Sequence, residues 1–127
     1  ALRDMLHNWR DRQPEIDWEW DFVGDFTGLA DTLQVTVYRV VQECTTNCVR
    51  HAEASHVRVE VKREKQHIKV TVTDDGKGLD TSAVKGFGLI GMRERVSALG
   101  GKIAFDTAEG QGLQVRVMIP LKSENKK

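Results

Sequence analysis

The stretch from Val57 to Val72, "VRVEVKREKQHIKVTV", restricts the fold more than any other part of this chain. In "VRVEV" and "IKVTV" an apolar residue returns at every second position, which is the period of a strand with one buried and one wet face. The charged residues between the two halves make a turn, so the segment reads as a hairpin. Its apolar face needs a second layer to cover it.

The cover is supplied by segments with a different period. From Asp31 to Ala52, Leu33, Val37, Val40, Val41, Cys44 and Cys48 recur at steps of three and four, and this period outranks the local strand preference of Val and Thr. Asp31 is the expected N-cap. Leu2, Met5, Leu6 and Trp9 give a first helix over Ala1 to Arg12, broken in "DRQPEID" by Pro14. Leu89, Met92, Val96 and Leu99 give another, ended by Gly100 and Gly101. "WEWDF" places Trp18, Trp20 and Phe22 on one face of a strand; acidic residues interleave them, so they read as core and not as a platform for stacking bases. "KIAF" and "LQVRVMI" add two strands turning through "AEGQG". The fold class expected is α+β, a two-layer sandwich with a mixed, mostly antiparallel sheet covered on one face by about three helices.

With 127 residues, 19 basic and 19 acidic, the chain is expected to form one domain, with a polar tail from about residue 122 to 127. The neutral balance gives no reason to expect direct contact with nucleic acid or with an anionic membrane. Apolar runs fall far short of the roughly 20 residues that span a bilayer, and no signal-peptide pattern opens the chain, so the expected setting is soluble and cytoplasmic. A start at Ala1 and the ending "KSENKK" suggest a segment of a longer protein. Cys44 and Cys48, four apart in one helix, do not suit a disulfide. With His51 they form a C-x3-C-x2-H stripe, but structural zinc wants four ligands, and the expectation is two buried thiols.

Two glycine clusters carry the functional signal. "GFGLIGMRER", from Gly86 to Arg95, contains the G-x-G-x-x-G of a dinucleotide turn, and Asp106 lies 20 residues beyond Gly86, near where a ribose-binding acid is expected. Yet the residues before Gly86 are the polar connector "LDTSAVK" and not a strand, so a nicotinamide dinucleotide module using Gly86 to Gly91 is the lesser alternative. "DDGKG", from Asp74 to Gly78, lies just upstream. On the long helix, Glu43, Asn47 and Arg50 stand at i, i+4 and i+7, within roughly 60° of one another. A carboxylate and an amide oxygen suit hydrated Mg²⁺, and a guanidinium suits phosphate.

"QECTTNCVRHAEA", "DDGKG" and "GFGLIGMRER", in this order and at these distances, resemble the N, G1 and G2 boxes of the ATP-binding domain shared by histidine kinases, gyrase, the Hsp90 chaperones and MutL. The resemblance runs from about Val37 to Pro120. Within that superfamily the chain looks most like sensor kinases that work with NarL-type response regulators, with "LDTSAVK" as a short ATP lid.

The resemblance implies a Bergerat-type sandwich and a set of roles. Asp74 would accept a hydrogen bond from the adenine amino group, and Gly76 and Gly78 would let backbone pass close to the base. Asn47 and Glu43 would hold Mg²⁺ against the phosphates, Glu43 also positioning or polarising the attacking group. Arg50 and His51 would contact phosphate or ribose. Gly86, Gly88 and Leu89 would form the lid and the helix start whose N–H groups meet the phosphates, and Gly112 would complete the ATP-binding set. Asp75 replaces a frequent asparagine, adding negative charge near the nucleotide, and Leu113 follows Gly112 where many relatives have threonine. The implied activity is transfer of the ATP γ-phosphate to a histidine on a separate dimerisation domain of the same kinase, with a NarL-type regulator downstream and a possible setting as the cytoplasmic part of a membrane-anchored sensor. His7, in "DMLHNWR", resembles a phosphoacceptor context only superficially and reads as a surface histidine. An ATPase of the gyrase, MutL or Hsp90 kind is a further alternative; it would need a longer lid and a transducer domain.

Overall fold

Residues 2–76, 89–107 and 112–121 are described by the computed structural model. In chain order they form α1 (Leu2–Arg12), β1 (Asp17–Val23), α2 (Asp31–Asn47), a π-helical turn (Cys48–Ala52), β2 (His56–Arg63), β3 (His67–Asp74), α3 (Leu89–Ala98), β4 (Lys102–Thr107) and β5 (Leu113–Pro120). The five strands make one sheet in the order β1-β2-β3-β5-β4. β1 runs parallel to β2, reached through α2, and the other three pairings are antiparallel. The sandwich read from the sequence is the one observed.

Alternation decides which face the helices cover. Val57, Val59 and Val61 of β2, Ile68, Val70 and Val72 of β3, and Val115, Val117 and Ile119 of β5 are all buried. They pack against Leu6 of α1, Leu33, Val37, Val40, Val41 and Cys44 of α2, and Met92 and Val96 of α3 in one core. Each such side chain contributes roughly 1.5–3 kcal/mol when buried. The other face carries Glu19, Arg58, Thr73, Gln114 and Asp106 in one register row. Arg58 pairs there with Glu19 at 3.1 Å and Glu60 at 3.2 Å, and Gln114 Nε2 donates to Thr73 Oγ1 at 3.3 Å. That face keeps its water.

α1 is fastened to both layers. Trp9 stacks on Trp18 with ring centroids 5.8 Å apart, and Arg10 and Arg3 lie over the rings of Trp20 and Phe22 at 5.0 and 4.8 Å. His7 is exposed, meets Trp20 edge-on at 4.9 Å, and shares a 2.8 Å hydrogen bond with Arg10. The aromatics of β1 are thus engaged by α1, in line with their reading as packing residues.

Two helix boundaries differ from the sequence reading. Ala30 takes the N-cap position with extended backbone (φ −60°, ψ 146°) and no side-chain cap. Asp31 is therefore the first helical residue, and its charge lies at the positive end of the helix dipole. The expected helix to Ala52 keeps α geometry only to Asn47; beyond it the turn widens to π, and Glu53 ends it in the left-handed region at φ 54°. α3 ends as expected, with Gly100 at φ 76° and its N–H bonded to the Ser97 carbonyl at 2.9 Å.

Thr45 is fully buried in α2, donates its hydroxyl to the Val41 carbonyl at 2.8 Å and accepts the Trp9 indole N–H at 3.0 Å. Thr45→Val keeps the volume and strands the indole donor. The expected loss is about 1–2 kcal/mol in urea unfolding; an unchanged midpoint would mean that this bond does not tie α1 to α2.

Candidate functional site

Asp74 closes β3 at a position where alternation calls for a core residue. Its side chain shares the helix-covered face with Trp18, Val57 and Leu113, its register partners across the sheet, and it is 5% exposed. Oδ1 accepts the Gly76 N–H at 2.8 Å and Oδ2 accepts the Cys48 thiol at 3.3 Å. The Leu113 N–H also donates to this carboxylate. Burial raises its pKa above 3.8, opposed by these three donors and reinforced by the charge of Asp75. An ionised carboxylate has about four acceptor positions. Among the described residues three donors reach it.

β5 begins against this point through Gly112. Its φ is +88°, and a Cβ there would fall on the Asp74 carbonyl oxygen and within 3.0 Å of the Asp75 Cα. Glycine is required both by the backbone angle and by the close approach. Asp75 faces the other way. Its Oδ1 accepts the N–H groups of Ser55 (2.8 Å) and His56 (2.9 Å), and its Oδ2 accepts the Ser55 hydroxyl at 2.7 Å. Desolvation acts to raise its pKa, but these bonds prevail and lower it. The extra charge seen in the sequence is thus held by the start of β2.

The end of α2 passes over the same corner. Cys48 is buried beside Asp74, and the Cys44 thiol lies 3.9 Å from the Met92 sulfur of α3. The two sulfurs are engaged separately. Glu43 and Asn47 sit half-buried on the last turns of α2, and Arg50 is exposed in the π turn, which also contains the backbone of His51. A π turn advances less than 100° per residue, so Arg50 departs from the stripe expected of a continuous α-helix. Leu89 is the first residue of α3. Gly78, Gly86 and Gly88 lie outside the described residues. The structure therefore brings Asp74, Gly76 and Gly112 together, and the Cys48–Asp74 contact sets the end of α2, with Asn47, beside them.

Cys48 is the site residue that sequence reasoning missed as such. It was expected to be a small buried hydrophobe, and 26 positions separate it from its partner. Only the packing of the helix on β3 makes the pair.

The dinucleotide alternative fails on geometry. β4 does not neighbour β3, since β5 runs between them and antiparallel to both. Asp106 points from the open face, where Arg116 binds it at 2.6 Å. A separate apolar groove of about 770 Å³ lies by Phe22, Val61 and Ile68, at the end of the strands away from Asp74.

Residues 32–123 match the family described as histidine kinase-, DNA gyrase B- and HSP90-like ATPases. The chain belongs to this family. It is similar to the sensor histidine kinase YxjM of Bacillus subtilis (strain 168), 42% identical over 131 residues, covering 99% of this chain and 31% of that protein. It is also similar to the sensor histidine kinase LiaS of the same strain, 35% identical over 128 residues, covering 99% of this chain and 35% of the relative. The chain thus spans about a third of the length of these curated relatives. Its fold is that of the histidine kinase domain of the Erythrobacter litoralis EL346 blue-light activated histidine kinase, with a TM-score of 0.77 at 21% identity, covering 94% of this chain and 59% of that one. In this ATPase family member, no described helix is long and apolar enough to cross a membrane.

The burial of Asp74 has a measurable consequence in the ligand-free protein. A carboxyl whose folded pKa is raised favours folding in its protonated form, so its contribution is present below 3.8 and lost as pH rises through the folded pKa. Asp74→Asn removes that cost. Asparagine gives up one acceptor oxygen, so the expectation concerns the pH dependence: the melting temperature of the variant relative to the wild type rises as pH rises through the Asp74 pKa, and thermal melts giving a difference independent of pH would contradict this.

Proposed function

We propose that this chain is the Mg-ATP-binding catalytic domain of a two-component sensor histidine kinase, working as one domain over residues 1–127 with a polar tail from about residue 122. The observation that carries the reading is the buried Asp74 carboxylate at the end of β3, where the helix-covered face of the sheet ends. An ionised carboxylate there accepts the exocyclic amine of adenine and meets the oxo group of guanine as acceptor against acceptor, which selects adenine. The close packing of Gly112 on the Asp74 backbone fixes the strand end that carries this carboxylate. Gly76 and Gly78 let the base pass close to backbone.

The other roles follow the order of the residues away from the base. Glu43 and Asn47 offer one carboxylate and one amide oxygen, a hard donor pair that fits a Mg²⁺ keeping several waters and phosphate oxygens. Mg²⁺, when bound, neutralises phosphate charge during transfer. Glu43 orients or polarises the attacking group. Arg50 and His51 contact phosphate or ribose. Gly86, Gly88 and Leu89 form the lid and bring the N–H groups at the start of α3 to the phosphates.

In this reading the γ-phosphate passes to a histidine on a dimerisation domain elsewhere in the same kinase, and from there to a NarL-type response regulator. His7 is read as a surface histidine of α1, in contact with Trp20 and Arg10. The site faces the cytoplasm, where ATP is supplied, and contacts neither nucleic acid nor membrane.

The test is calorimetric titration of ADP with Mg²⁺ into the wild type and Asp74→Asn, with NADH as control. Binding of ADP by the wild type, lost in the variant by tenfold or more, is expected from one charge-assisted bond of about 1.5–3 kcal/mol and the mismatch left in its place. Equal ADP binding by both proteins would remove Asp74 from the pocket.

A further inference from the structure

Cys48 has no part in the roles given above, yet its sulfur lies 3.3 Å from Oδ2 of Asp74. Both groups are buried, the cysteine 3% exposed and the aspartate 5%. We propose that Cys48 is a positioning residue of the nucleotide pocket: its thiol donates to Oδ2, fixes the rotation of the carboxylate and keeps it turned towards the adenine amino group. The proposal rests on Asp74 reading adenine as set out above.

The geometry supplies a reason for a donor at this point. Gly76 and Leu113 donate to the carboxylate from backbone that the strands already fix. Neither belongs to the helix side of the corner. Without Cys48 the helix would offer Asp74 an apolar wall, and the buried charge would lose one of its three protein donors. Among the described residues the titratable groups that act on Asp74 or on its thiol partner are Cys48 from the π turn, Cys44 from α2 and Asp75 just beyond β3, and β5 contributes the Leu113 backbone. Asp75 works against ionisation of Asp74, and Cys48 works for it. At 3.3 Å the sulfur is the donor of the pair, because a carboxylate oxygen can only accept. A thiol at this position is also poorly reactive, which separates positioning from redox chemistry. The link places Asp74 under the direct control of the residue next to Asn47, so that the base end and the phosphate end of the pocket are set by one helix turn.

The experiment compares the wild type, Cys48→Ala and Cys48→Ser. Ala and Ser both give up the bulk of the sulfur, and only Ser keeps a donor, so packing and hydrogen bonding are separated. The Asp74 carboxyl is followed by ¹³C NMR against pH in the ligand-free proteins, and ADP with Mg²⁺ is titrated across the same range. In Cys48→Ala the Asp74 pKa is expected to rise by about half to one unit, the acid limb of ADP binding to move up with it, and affinity at neutral pH to fall roughly two- to fivefold. Cys48→Ser is expected to return all three towards wild type. An Asp74 titration unchanged in Cys48→Ala, or changed alike in Ala and Ser, overturns the proposal whatever happens to binding. A raised Asp74 pKa in Cys48→Ala together with a wild type that binds no ADP would show that the adenine reading has failed, and the positioning role with it.

Discussion

A carboxylate in a core position is the constraint on which the rest of this molecule turns. Ile68, Val70 and Val72 face the helices along β3, and the same alternation carried one step further puts Asp74 inside. A charge there is tolerable only if donors reach it. Those donors come from three directions: the turn after β3, the start of β5 and the helix turn above. Each is held by an element whose position the apolar face determines. The β3–β5 register sets Leu113 opposite Asp74, and the core contacts of α2 set Cys48 over it. Charge placement and packing are therefore one problem in this fold.

The one-sided sheet determines where the corner lies. Helices cover only the valine face, while the other face carries charged and polar pairs that keep it solvated. The strand ends at Asp74 consequently lie at the rim of the core, where burial on the helix side meets access from the edge. α2 ends its regular hydrogen bonding there. The Cys48 N–H is shared between the Cys44 and Thr45 carbonyls, and the chain leaves through a left-handed Glu53. Wide turns of this kind recur at functional sites because they redirect side chains without ending the helix abruptly.

The architecture was legible because it rests on periodicities. The alternation of β2 and β3, the three- and four-residue steps of α2 and the glycines after α3 each have a single physical cause, and the elements form where those causes predict. The boundaries were less legible. Asp31 resembles a cap by residue type, but capping depends on the backbone angle of Ala30, which local sequence does not reveal. The π turn has no signature in "CVRHA". For the candidate site, the ordered motifs single out Asp74, Gly76, Glu43 and Asn47. The reason Gly112 must be glycine appears only when β5 meets Asp74. The same holds for Cys48 as a donor and for Asp75 as a brace on Ser55 and His56. Such contacts join residues far apart in the chain, and no local pattern encodes them.

Family membership fixes the fold and the kind of site, and the particular chemistry of this chain then lies in how Asp74 is surrounded. The most direct measurement is a crystal structure of the chain grown with ADP and Mg²⁺. The account predicts the adenine amino nitrogen at roughly 2.8–3.2 Å from the Asp74 carboxylate, with the phosphates directed towards Asn47 and the start of α3. A nucleotide seated elsewhere, such as the groove beside Phe22 and Val61, or one whose adenine makes no bond to Asp74, would contradict it.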